Sequence, residues 1–183
     1  MRRHPLLANA TTHRSLLVYG LLAFGVLIIM MAIPMPIWLK LFLFTVFAVL
    51  QGMFLHAATA LLPKEVIDQA LIGAIGIFVA FAVLGTIMAA FGIDLGFMGM
   101  ILFGMLIGLL VASVVLLFLD KEKTKGFHKF LIIVGLVLFS LYIMYESNTM
   151  IQDNYMYDFV TAAVNLYLDF VNVFVNLVAA QSE

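Results

Sequence analysis

Six residues near the C-terminal end carry most of the chemical potential of this chain. Asp158, Thr161, Asn165, Asp169, Asn172 and Asn176 follow one another at intervals of 3, 4, 4, 3 and 4. That spacing is one face of an α-helix, so the six form a single polar stripe. The rest of the segment is Val, Leu, Phe and Ala. A second set, Tyr142, Tyr145, Glu146 and Thr149, repeats the 3/4 spacing on the preceding apolar run and offers a partner face. If Glu146 and Asp169 meet, burial and like-charge repulsion oppose ionising both. They could then share a proton at neutral pH and lose it as pH rises. Simple counting places Asp169 eleven residues into its run, about 16 Å deep, and Glu146 near the end of its own. The two therefore meet only if the last helix is shifted or the fifth extends past Met150.

The surroundings make these carboxylates costly. The chain has 183 residues, is 66% hydrophobic and 10% charged, and has a mean hydropathy of +1.20. Soluble domains carry about 25% charged residues, so lipid is the solvent of this chain. A carboxylate at the centre of a bilayer costs roughly 2.5–3.5 kcal/mol on insertion scales. An interhelical hydrogen bond returns only about 0.6 kcal/mol on average. Packing alone is a poor reason to retain Asp169 and Glu146, and a functional role is the default for intramembrane acids.

The elements that position these residues are apolar runs long enough to span. A span needs about 20 residues, and six candidates cover 15–33, 37–62, 67–91, 97–119, 130–150 and 158–178. "PMP" (34–36), "PKE" (63–65), "GIDLG" (92–96), "DKEKTKGFHK" (120–129) and "IQDNYMY" (151–157) separate them. The expected fold is all-α, a polytopic transmembrane helical bundle. A basic tail (1–14) precedes the bundle (15–178), and a short C-terminal tail (179–183) follows it. With the N-terminus inside, Arg2, Arg3, Arg14, Lys64, Lys121, Lys123, Lys125 and Lys129 all fall on the inner side, and only Lys40 falls outside. This asymmetry places both termini inside.

The first apolar run exceeds a signal-peptide core of about 7–15 residues, so it reads as a retained span. The acid-free, Arg-rich start is also compatible with an organellar presequence. Gly104, Gly108 and Ala112 on the fourth span, and Ala70 with Ala74 and Gly76 with Ala80 on the third, have the spacing of helix-packing stripes. Contact within one chain is the expected use, and a dimer seam the sharper alternative. His56 shares a face of the second span with Thr45, Gly52 and Thr59. It reads as a buried, neutral, hydrogen-bonded packing histidine, with a place in a proton pathway as the alternative. It has no companion ligand at metal spacing, and the chain has no cysteine, so no metal site or cofactor is expected. There is no HExxH, GxSxG or Gly-rich phosphate loop, and no enzyme activity is expected. No basic patch interleaved with aromatics suggests nucleic acid.

"YESNTM" (145–150), followed by "YDFVTAAVNLYLDFVNVFVNLV", resembles the C-terminal signature of the Bax inhibitor family. "GIDLGFMGMILFGMLIGLLVASVVLLFL" (92–119) is similar to the family's mid-chain hairpin and following helix, and "LQGMFLHAATALLPKEVIDQAL" (50–71) to its Gly-containing helix end, turn and next helix start. The resemblance covers about residues 40–178 and implies a helical bundle around a central last helix. It implies a pH-sensitive cation or calcium leak, with calcium as a transported ion. The family's paired acids map onto Glu146 and Asp169. Together with the spacing, this assigns Glu146, Asp169, His56, Asn165, Asn172 and Tyr145 to pH sensing and an ion pathway.

The chain differs from the family pattern in having Glu146 where aspartate is usual in leak channels, six spans where bacterial relatives have seven, and no arginine after Arg14. The alternative implied by the resemblance is an interaction protein, either a modulator of a membrane-bound protease or an accessory subunit of a larger membrane complex. The expected location is a bacterial inner membrane, with an organellar membrane (mitochondrial inner or endoplasmic reticulum) as the alternative. The oligomeric state is left open.

Overall fold

The structure, a computed structural model, describes residues 5–119, 121–152 and 158–182, with side chains from residue 16 onward except 117 and 121–123. Six α-helices follow in order: α1 (Pro5–Ala32), α2 (Ile37–Thr59), α3 (Lys64–Ala90), α4 (Met98–Leu117), α5 (Lys121–Gln152) and α6 (Phe159–Ser182). The described residues contain no strand, as the all-α reading requires. Each expected span overlaps one helix. Among the described residues, five helices are long and apolar enough to cross a membrane; on α1 the described side chains begin at Leu16, and Leu16–Ala32 is apolar. Lipid-type surface is plain in side chains such as Met100, 85% exposed, and Phe118, 84% exposed.

The breaks have local causes. Pro36 and Pro63 are the N-caps of α2 and α3, both with extended ψ. Proline lacks the N–H that a continuing helix would need. α3 ends in a Schellman turn: Ile93 N–H donates to the Met88 carbonyl and Gly92 N–H to the Ala89 carbonyl, both at 2.9 Å. Gly92 sits at φ 75°, a left-handed position that favours glycine. Asp158 caps α6, its carboxylate accepting from Thr161 N–H at 3.2 Å and the Thr161 hydroxyl at 2.7 Å. The first member of the polar stripe is thus a helix cap.

One expectation is corrected at α5. The charged segment 120–129, taken as a connection, is helical from Lys121. Lysine and glutamate are good helix formers, and 32 residues span about 48 Å, well beyond a ~30 Å hydrocarbon core. The charged turns therefore have room outside it. At its other end α5 passes Met150 and reaches Gln152. The expected connection 151–157 lies outside the described residues from 153 to 157.

The helices form two compact units, residues 1–62 and 63–183. The first is the α1/α2 pair, in which Gly20 packs so closely on Phe54 that a Cβ there would lie 3.3 Å from the ring. In the second, α3 packs on α5 and α6, α5 on α6, and α4 on α5. A face of small buried residues on α3, Ala70, Ala74, Gly85 and Ala89, allows this approach. At Gly85 a Cβ would collide with the Met144 carbonyl oxygen of α5. Phe78 of α3 meets Phe170 of α6 edge to face at 5.8 Å.

The other small-residue stripes are corrected. Gly104, Gly108 and Gly76 would find no neighbour within 4 Å of a Cβ, so these glycines make no close helix contact among the described residues.

Candidate functional site

The site lies where α5 and α6 run antiparallel. Asn165 directs its Nδ2 at both carboxylate oxygens of Glu146, 3.4 Å from each. At the other end of the helix pair, the Asn176 amide packs against Gly135, where a Cβ would lie 2.7 Å from its oxygen. These contacts share one register: eleven residues back along α5, from Glu146 to Gly135, match eleven forward along α6, from Asn165 to Asn176. In that register Asp169, four residues beyond Asn165, is level with Tyr142, four residues before Glu146. The two acids are therefore offset by one helical turn, about 6 Å along the axis.

Asp169 is 7% exposed, and its Oδ2 has no hydrogen-bond partner among the described residues. Glu146 is half-buried. The carboxylates make no direct hydrogen bond to each other, yet Asp169 lies within electrostatic reach of Glu146, and Tyr142 within reach of both. The depth mismatch from counting is thus reduced to one turn, because α5 extends beyond Met150. The Tyr142 ring lies against Tyr145 (6.5 Å, edge to face) and Phe139 (6.4 Å, stacked). Half-buried Tyr145 also packs on α4: a Cβ at Gly99 would lie 2.6 Å from its hydroxyl.

The polar stripe of α6 is half-buried at Thr161, Asn165, Asn172 and Asn176, and buried only at Asp169. The deepest faces carry valines, including Val164 and Val173 at 0% exposure. The stripe borders the core and does not form its centre. Val171 is 5% exposed, whereas Val175 is 42% exposed. Asn172 and Asn176 line a cavity of about 850 Å³ between α4, α5 and α6.

His56 is exposed on α2, in the first unit, so the expectation of a buried packing histidine is corrected. Its expected companions Thr45 and Thr59 bond the carbonyls of Leu41 (3.0 Å) and Leu55 (2.8 Å) in their own helix. That satisfies each hydroxyl locally. Among the described residues no group of three or more His, Asp and Glu side chains could hold a metal.

A residue outside the expected set holds the site in place. Asn148 is fully buried at 0% exposure. Its Oδ1 accepts from Leu95 N–H at 3.0 Å, and its Nδ2 donates to the carbonyls of Ile93 (2.9 Å) and Gly85 (3.2 Å). One side chain thereby ties the α3–α4 turn to α5, two residues from Glu146. The available signal was an amide inside a long apolar helix.

A family model described as inhibitor of apoptosis-promoting Bax1 matches residues 6–180. The chain belongs to the Bax inhibitor family. An uncharacterized Helicobacter pylori protein is 41% identical over 87 residues, covering 46% of this chain and 35% of that protein. An uncharacterized Campylobacter jejuni protein is 38% identical over 99 residues, 54% of this chain and 41% of its own length. The LIFEGUARD 4 protein of Arabidopsis thaliana is 36% identical over 90 residues, 47% of this chain and 34% of its own length. The aligned stretch thus spans well under half the length of each relative. Family membership and the apolar helices together make this an integral membrane protein.

Proposed function

We propose that this Bax inhibitor family protein is a non-enzymatic, proton-sensitive cation leak in which Glu146 and Asp169 act as a linked pair. The observation that carries the reading is the buried Oδ2 of Asp169, one turn from Glu146 and without a hydrogen-bond partner among the described residues. Keeping a buried, undonated carboxylate ionised costs several kcal/mol. Such an oxygen is a place for a proton or a cation. Glu146 differs in having the Asn165 amide beside it. The two acids therefore answer differently to protons while remaining within each other's field. Calcium is the cation the family resemblance suggests, and a bacterial inner membrane the proposed setting. The test is cation flux across liposomes containing the purified chain, followed with a trapped calcium dye between pH 6 and 8.

The second reading is an interaction protein, a modulator of a membrane-bound protease or a subunit of a larger membrane complex. It is favoured by α4, where Leu102 is the only buried side chain among those described, and Gly104 and Gly108 have no close neighbour. Co-purification in mild detergent separates the readings. A stoichiometric protein partner together with absence of flux would favour the second.

A further inference from the structure

The cavity between α4, α5 and α6 has two chemically distinct parts. Along most of its length the lining is apolar, with Leu106 and Leu110 from α4, Leu131 and Phe139 from α5, and Val175 from α6. At the end where α5 begins, the lining changes to Thr124, Lys125 and His128. Lys125 and His128 are exposed there. The segment 120–129 carries four lysines against two acids, Asp120 and Glu122. Two polar groups further in bond to backbone carbonyls of their own helices. Asn176 Nδ2 donates to the Asn172 carbonyl at 2.8 Å, and the Ser113 hydroxyl donates to the Leu109 carbonyl at 2.8 Å.

Size and length narrow the occupant. The volume of about 850 Å³ lies in the upper part of the ~300–1,000 Å³ range of small-molecule sites. Lys125 and Phe139 are fourteen residues apart on α5, about 21 Å along the axis. An acyl chain of one leaflet reaches about 15 Å, half of a ~30 Å hydrocarbon core. A cleft of that length, greasy inside and cationic at one end, matches one amphiphile with a negative head. Basic pockets between transmembrane helices are recognised sites for anionic lipid headgroups.

We infer that this cleft is a binding site for one anionic phospholipid of the leaflet on the lysine side, its phosphate beside Lys125, His128 and Thr124 and an acyl chain lying toward Phe139. The inference does not depend on the leak reading, because binding is measured without flux.

The test is native mass spectrometry of the full chain after delipidation. The protein is incubated with phosphatidylglycerol or with phosphatidylcholine of the same acyl chains. One phosphatidylglycerol should be retained in preference to phosphatidylcholine. Lys125→Gln should reduce that preference about fivefold, the value of one lysine near an anionic headgroup. Lys129→Gln removes the same charge from a residue that does not line the cleft, and should change it less than twofold. Ala179→Trp, filling the cleft, should lower retention of both lipids, and exposed Lys125→Gln keeps the test valid if that bulky variant does not fold. Equal retention of the two lipids overturns the proposal. So does an equal effect of Lys125→Gln and Lys129→Gln, which would mean diffuse surface attraction. Displacement of the lipid by inorganic phosphate alone would also overturn it, since the acyl chain would then contribute nothing.

Discussion

Asn165 holds its amide nitrogen 3.4 Å from each oxygen of Glu146, bridging α5 and α6 one turn away from Asp169. Hydrogen bonds of this type are commonest near 2.9–3.0 Å, so the contact is long and shared. Asn148, two residues along, makes three bonds of 2.9–3.2 Å to backbone groups. Asn148→Leu should therefore cost more than Asn165→Leu. Leaving buried backbone groups unpaired costs about 1–3 kcal/mol each, against about 1 kcal/mol or less for the long contact. Thermal unfolding in detergent ranks the two. Equal losses would show that the Asn148 bonds do not hold the α3–α4 turn.

Close backbone approach gives a second test. Gly85→Ala places a Cβ against the Met144 carbonyl, which side-chain rotation cannot relieve. Its cost should be 3 kcal/mol or more, above the ~1–3 kcal/mol typical of overpacking. Gly104→Ala and Gly108→Ala meet nothing within 4 Å and should be neutral or stabilising by up to ~1 kcal/mol, since alanine favours helix. Unfolding by denaturing detergent would order the three. A tolerated Gly85→Ala would contradict the α3–α5 contact.

What was legible in the sequence follows from what periodicity can report. The stripe on α6 and its matching face on α5 were visible because both are side-chain patterns. Their axial offset was not, because it depends on where α5 ends. Asn148 was missed because its partners are backbone groups 53 to 63 residues away, which leave no mark in composition. The stripes at Gly104/Gly108 and at Ala70/Ala74 look alike in sequence. Only tertiary packing decides that the second has a neighbour. The start of α5 reads as a connection because its charge suggests water, while its lysines and glutamate favour helix.

The valines of α6 give a third prediction. Val171 is buried and Val175 exposed. Val171→Leu should destabilise by about 1–3 kcal/mol through overpacking, and Val175→Leu should stay within about 0.5 kcal/mol. Thermal unfolding of the two variants measures the difference. Equal tolerance would mean that α6 is rotated from the orientation described.

Topology can be read by labelling, since the chain has no native cysteine. Asp94→Cys, in the α3–α4 turn, and Lys129→Cys, in the charged start of α5, should react with an impermeant maleimide from opposite faces of a vesicle. Labelling of both from one face would contradict a membrane crossing by α4.

The pH dependence of cation flux in liposomes tests the carboxylate pair most directly. Wild type should show flux that changes with a midpoint between pH 6 and 8. Asp169→Asn preserves side-chain volume and removes the charge that opposes ionisation of Glu146. The midpoint of any residual flux should therefore move to lower pH, by half a unit or more. Glu146→Gln should move it in the same sense, and the double variant should be nearly independent of pH. A folded wild type with no flux across this range would contradict the leak, and flux whose pH profile neither single variant alters would contradict the role of Glu146 and Asp169.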